Sequence, residues 1–330
     1  MRNPAVQTDW IPRNEYTTPL KGVMTYRNAG AIKAVGPYGE KYSVGRIEYQ
    51  QFEDESYQYI ITPFWNVIDG VSTKVFGGIP GIKMELRLEH YYRVNYTPVF
   101  MTERTPSPQR EDMWELMESV GLDYYDRLEW LIRTPLRSGN DNLIVERWRD
   151  TPLRVGYSHK KDSISINESF LNVDPLVFDD ERKLLEILQY GDTVVTANLQ
   201  CLSPSSDSLT EILAKLLGIG VGIECAADGM TIQAADIPVL LPVLTAQREL
   251  YFKNRKEKQR EGIALANQQG MYKGRKKLAV DEIALRSAYD QVRMGRITVK
   301  EAMQELNISS RSTYYRRIRE LRYRMEQQDC

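Results

Sequence analysis

Cysteine and histidine are scarce in this 330-residue sequence: Cys201, Cys225 and Cys330, and His90 and His159. The cysteines are scattered, odd in number and form no CxxC pair. That argues against a disulfide framework or a structural zinc site and for a reducing cytoplasm. With so few imidazoles and no carboxylate cluster at ligand spacing around them, a zinc centre or a Ser-His-Asp triad has little material. No apolar run approaches the roughly 20 residues that a bilayer span needs, and the polar start MRNPAVQTDW has no secretory-leader core. The expectation is a cytoplasmic, nucleoid-associated protein with no membrane partner. The segment VFGGIPGIKM (75–84) lacks the GxxxxGK[ST] pattern, so it reads as a turn between strands and not as a phosphate loop. No cofactor or metal is expected.

What is present is ordinary in amount and uneven in placement. Hydrophobic residues at 42% and charged residues at 27% fit a globular chain, long enough here for two or three domains. The net charge of −1 hides an asymmetry. From Arg248 to the end there are 20 Lys/Arg against 11 Asp/Glu, whereas residues 1–247 hold 24 against 34. A basic tail on an acidic body suggests a polyanionic partner for the tail.

The tail carries a helix-turn-helix pattern, ITVKEAMQELNISSRSTYYRRIRELR (297–322). Val299, Ala302, Met303 and Leu306 give one helix an apolar face. Asn307 tolerates a left-handed turn, Ile308 plugs the corner, and Ser309 or Ser310 caps the next helix. That helix opens with Ser310, Arg311, Ser312, Thr313, Tyr315 and Arg316, the residue types that contact bases and phosphates. Met303 stands where such motifs prefer a small residue, and the turn is one residue longer than usual. LAVDEIALRSAYDQVRMGR, closed by Gly295, supplies a preceding helix. Upstream, REGIALANQQGMYKGRKK (260–277) runs from a helix into a basic arm bearing Lys273, Arg275, Lys276 and Lys277.

In this order the segments resemble the serine recombinases, the resolvase and DNA-invertase family. LTAQRELYFKNRKEKQREGIALANQQGMYKGRKK (244–277) resembles that family's long helix and arm. The resemblance implies that the helix pairs two subunits and that the arm crosses the minor groove before the helix-turn-helix reaches the major groove. LRVGYSHKKDSISIN (153–167) is similar to the first strand, RIGYxRVST, and LQYGDTVVTANLQCL (188–202) to PGDTLVV…KLDRL. SSDSLTEILAKLLGIGVGIECAADGM supplies the following helix and strand, so the likeness covers about 152–326. Phosphoryl transfer by a serine needs a nucleophile and several arginines around the phosphate. Aligned on the family pattern, Lys161 stands at the nucleophile and His159 at the preceding arginine. Cys201 and Pro204 stand at two further arginines, and Gln200 at an aspartate. Ser158 and Ser163 flank the nucleophile position. No catalytic residue is expected.

Residues 1–150 resemble no family. KYSVGRIEYQQF, YQYIITPFW and KMELRLEHYYRV (83–94) read as strands of a mostly antiparallel sheet, and MWELMESVG and LDYYDRLEWLIRTP as helices. The fold expected is an α/β resolvase-like domain plus a helix-turn-helix, behind an N-terminal α+β domain. Its expected parts are 1–150, with a regulatory role; 151–243, a degenerate resolvase-like domain; 244–277, the dimerisation helix and arm; and 278–330, the DNA-binding domain. The function expected is sequence-specific binding of double-stranded DNA with inverted half-sites, by a homodimer or higher oligomer. Residues 1–150 would contact another protein. The alternatives are a divergent active recombinase and an inhibitory or scaffolding partner of one.

Overall fold

The computed structural model describes residues 19–134, 141–159, 177–269 and 280–328. The chain divides into two compact units, 1–256 and 257–330.

The first unit is built on two sheets. Strands β1 (Met24–Val35), β2 (Lys41–Phe52), β3 (Tyr57–Pro63), β4 (Tyr91–Val94) and β5 (Leu143–Arg147) form an antiparallel sheet in the order β4-β3-β2-β1-β5. Helices α1 (Met113–Ser119) and α2 (Arg127–Arg133) lie between β4 and β5 in the chain. Asp126 caps α2 by accepting from the amides of Leu128 and Glu129, which satisfies donors that a helix start leaves orphaned. Strands β6 (Arg154–Tyr157), β7 (Val177–Phe178), β8 (Thr193–Thr196) and β9 (Gly222–Cys225) are parallel, and β10 (Met230–Ile232) closes one edge antiparallel, in the order β10-β9-β8-β6-β7. Helices α3 (Glu181–Ile187), α4 (Leu199–Leu202) and α5 (Ser206–Ile219) provide its crossovers. The α/β arrangement expected for this region is therefore observed.

One apolar core runs through both sheets, from Ile32 and Ile47 to Leu216, Ile223 and Leu241. Phe64 at the end of β3 stacks on Tyr190 with ring centroids 3.6 Å apart. The Tyr190 hydroxyl donates to Asn66 Oδ1 at 2.9 Å. Gly220 sits beneath that ring with φ +87°, where a Cβ would lie 2.3 Å from Tyr190 Cδ2. The space and the backbone both demand glycine. A boundary near 150 thus separates two sheets but not two cores.

Two expectations for this unit need correction. The strand expected over 83–94 is confined to Tyr91–Val94, because Met84–Leu86 forms a 3₁₀ turn and Arg87 adopts φ +48°. The cause is tertiary: the Arg87 guanidinium forks onto Asp69 at 2.9 and 2.8 Å and lies over the Trp65 ring. The long helix α6 spans Ile237–Gln268, so it begins ahead of the expected Leu244 and contains Pro242. Ile237 and Leu241 anchor its start in the core, and Arg248 is buried beside the stacked rings of Tyr38 and Phe252, with Glu40 3.5 Å away.

The second unit holds α7 (Glu282–Arg293), α8 (Val299–Glu305) and α9 (Arg311–Gln328). These close on a small core of Leu285, Ala288, Ala302, Ile308, Tyr314, Ile318 and Leu321.

Candidate nucleic-acid interface

The α8–turn–α9 segment is set by local chemistry. Thr298 and Glu301 form a capping box at the start of α8, with the Thr298 amide donating to Glu301 Oε2 at 2.7 Å. The backbone contact draws the Glu301 carboxyl below its usual range. Asn307 takes the left-handed conformation at φ +54°, and the Ile308 amide bonds the Met303 carbonyl at 2.8 Å. Ile308 is then buried, as a corner plug should be. The small residue at the helix contact is Ala302, fully buried, while Met303 packs half-buried beside it. The Tyr314 amide bonds the Ser310 carbonyl at 3.0 Å, which makes Ser310 the first residue of the α9 ladder. Its hydroxyl pairs with that of Ser312 at 2.8 Å.

Burial splits α9 cleanly. Tyr314, Arg317, Ile318 and Leu321 face the core; Arg311, Ser312, Tyr315 and Arg316 are exposed, and Thr313 is half-buried. The structure therefore brings Ser310, Arg311, Ser312, Thr313, Tyr315 and Arg316 together at one helix start. Lys273, Arg275, Lys276 and Lys277 lie outside the described residues.

The second place where chemistry was sought is the carboxyl edge of the parallel sheet. The chain order reverses between β6 and β8, and such a switch point is where α/β sheets hold ligands. A cleft of about 540 Å³ opens there, lined by Tyr157, His159, Asp179, Asp180, Glu181 and Lys183 together with Ser203, Pro204 and Ser208. Burial, with the carboxylates of Glu181, Asp180 and Asp179 adding to it, pushes the Tyr157 hydroxyl up to about 12; Glu181 is itself paired with Lys215 at 2.8 Å. Ser158 is 5% exposed. The His159 amide and ring both meet the Cys201 carbonyl, at 2.9 and 3.0 Å. Cys201 lies buried in the one turn of α4, whose start is capped by Asn198. Lys161 and Ser163 lie outside the described residues. Among the described residues no arginine lines this cleft. The nearest in sequence, Arg154, is forked onto Glu224 at 2.6 Å twice.

Sequence reading missed the pair of half-buried Arg149 with buried Asp192. Both Arg149 Nη2 contacts to Asp192 are 2.6 Å, and the amides of Leu153 and Gln189 donate to the same carboxylate at 2.7 Å. The GDT of LQYGDTVVT was the available signal. It marks a carboxylate that ties the two sheets together. His90, by contrast, simply shares a hydrogen bond with the Thr62 hydroxyl at 2.9 Å.

On α6, Val239, Val243 and Leu250 are 70, 62 and 58% exposed. With Ala246 they follow the four-three-four spacing of a coiled-coil seam, on the side of the helix away from Ile237, Leu241 and Arg248.

These features have counterparts among known proteins. The chain is 36% identical over 140 residues to the transposon Tn21 resolvase of Escherichia coli, a match covering 41% of this chain and 73% of that protein. It is 40% identical over 104 residues to the Tn1721 resolvase of Escherichia coli, covering 31% and 56%, and 26% identical over 144 residues to the Tn1546 resolvase of Enterococcus faecium, covering 42% and 75%. No protein-family model matches the chain. The chain belongs to the transposon resolvases of the serine recombinase family. It spans little more than half the length of the Tn1721 and Tn501 relatives, 56% in each case. The relationship accounts for part of the chain only.

Proposed function

We propose that this is a non-catalytic, sequence-specific DNA-binding protein derived from a serine recombinase, acting as a transcriptional or architectural regulator on a phage, plasmid or other mobile element. The observation that carries the reading is the first turn of α9. There Arg311, Tyr315 and Arg316 stand exposed on a rigid helix, and neither arginine pairs with a carboxylate among the described residues. In this reading 280–328 is a helix-turn-helix whose α9 enters the major groove with Ser310, Arg311, Ser312 and Thr313 at the base edges. The arm at Lys273, Arg275, Lys276 and Lys277 follows the backbone. The seam Val239–Val243–Ala246–Leu250 pairs two copies, and a symmetric dimer reads inverted half-sites. Residues 1–150 present a surface to another protein.

The absence of strand cleavage rests on electrostatics. A phosphodiester entering the cleft would meet Asp179, Asp180 and Glu181, with Lys183 as the one lysine and no arginine among its described lining residues, where phosphoryl transfer calls for several cations. The second reading, a divergent active recombinase using Ser158 or Ser163, draws its support from the relatives, which are named resolvases.

One pair of assays decides between them. Footprinting on genomically mapped targets should give two protected half-sites about a dyad. Supercoiled plasmid should be neither nicked nor relaxed nor covalently trapped, with or without Mg²⁺. Lys161→Ser should remain inactive, because one hydroxyl does not restore the missing guanidinium groups. A phosphoserine linkage from the unaltered chain would promote the second reading, and a single asymmetric footprint would remove the dimer.

A further inference from the structure

Helix α9 is longer than base reading requires. Its 18 residues extend about 27 Å at 1.5 Å per residue, whereas the major groove is only about 12 Å wide. Past the first turn the exposed side of the helix continues through Arg319, Arg322 and Tyr323. At about 100° per residue these fall on the same arc as Arg311, Tyr315 and Arg316. The opposite arc holds Tyr314, Ile318 and Leu321, all buried in the unit's core.

The charges on this helix are sorted as well. Arg317 bonds Glu320 at 2.7 Å and Arg324 bonds Glu282 at 2.8 Å. Arg319 and Arg322 make no ion pair with any described residue, and between Arg311 and Arg324 the sole carboxylate is Glu320. Two guanidinium groups and a 63% exposed tyrosine therefore stand in a row that no described residue of this unit neutralises or covers.

We propose that Arg319, Arg322 and Tyr323 form a phosphate clamp separate from the base-reading turn, one that grips the sugar–phosphate backbone beyond the groove α9 enters. The inference rests on the helix-turn-helix reading above and adds three residues to those expected at the base edges. Arg319 lies about 12 Å along the helix from Arg311, and Arg322 about 16 Å. When the first turn sits at the base edges, these side chains have passed the groove and reach its flanking strand. Guanidinium groups suit bidentate capture of phosphate oxygens, and the tyrosine hydroxyl adds a neutral donor.

The test uses the full chain and a fluorescein-labelled random-sequence duplex about 40 base pairs long, with affinity measured by anisotropy across a salt series. R319A/R322A should lower the magnitude of the log–log salt slope by about two, since each lost phosphate contact removes about 0.9 from it. R319K/R322K should restore most of the slope, and Y323F should weaken binding severalfold without altering it. On a footprinted target, R319A/R322A should leave base preference intact while R311A relaxes it. An unchanged slope in R319A/R322A, alongside relaxed preference in R311A, would remove the clamp and keep the helix-turn-helix. If R311A too had no effect, or the unaltered chain did not bind duplex at all, both would fall.

Discussion

Several arginines of the first unit are held by its own carboxylates, whereas four along α9 of the second unit are not. Arg27 is locked to Glu48 and Asp150, Arg149 to Asp192, and Arg154 to Glu224, at 2.6–2.8 Å, while Arg248 is buried beside Glu40. On α9, Arg311, Arg316, Arg319 and Arg322 have no such partner among the described residues. The difference teaches that cation counts say little about polyanion binding. What matters is how many charges the fold has left uncommitted, and where. By that measure the sheet-edge cleft, where three carboxylates stand with one lysine and Glu181 is paired with Lys215, differs from the α9 face.

The largest effect that sharpens this contrast is Asp192→Ala. It leaves the Arg149 guanidinium without its carboxylate and two amides without an acceptor, so the first unit should lose about 3 kcal/mol. A calorimetric scan should show the first unit's transition shifted down and the second unit's unmoved; an unmoved first transition would mean that the pair commits nothing. Next, Arg311→Ala or Thr313→Ala should cost about 1–3 kcal/mol of discrimination at one or two base pairs per half-site. Selection from a randomised site library reads this out. Lys276→Ala with Lys277→Ala should flatten the salt slope by about two while the ranking of sites persists. A full slope after that change would mean that the arm is off the DNA.

The smallest effect is acid sensitivity. Burial works against ionising Glu146, but Lys33 and Lys41 outweigh it and hold the carboxyl below its ordinary range. Arg154 draws Glu224 down in the same sense. A group depressed in the folded state stabilises above its unfolded pKa, and that contribution disappears as pH falls through the folded value. The first unit's melting temperature should therefore fall below the ordinary carboxylate range, and Glu146→Gln should flatten the dependence. Equal acid sensitivity in Glu146→Gln would refute that assignment.

Local features were legible in the sequence and distant ones were not. The α8–α9 turn could be read because a capping box, an asparagine and a buried Ile308 act within a few residues of one another. Strands β2 and β3 announce themselves by tyrosine and β-branched content. Strand β1, MTYRNAGAIKAV, does not alternate: it is sandwiched between β2 and β5, and Gly30 is required because a Cβ would approach Val145 Cγ1 to 2.5 Å. Pro242 falls inside α6 near its start, where Ile237 and Leu241 find core partners in other elements. Arg149 and Asp192, 43 residues apart, carry no local sign of each other. Asp179, Asp180 and Glu181 line the cleft from another element, so their approach to Tyr157 and His159 had no local sign in the sequence.

Arg248 acts on α6 as a key acts on a shaft. Its guanidinium is buried beside Tyr38 and Glu40 of the β1–β2 hairpin, so the helix cannot turn about its own axis without dragging a buried cation away from them. Inserting one residue between Leu241 and Arg248 would swing everything beyond it by about 100° and point Arg248 away from its slot. Substitutions at Val239 or Val243 leave the key seated. Hence this stretch should accept new side chains far more readily than a new length, and the azimuth at which the apolar seam faces outward is dictated by a hairpin two hundred residues upstream in the chain.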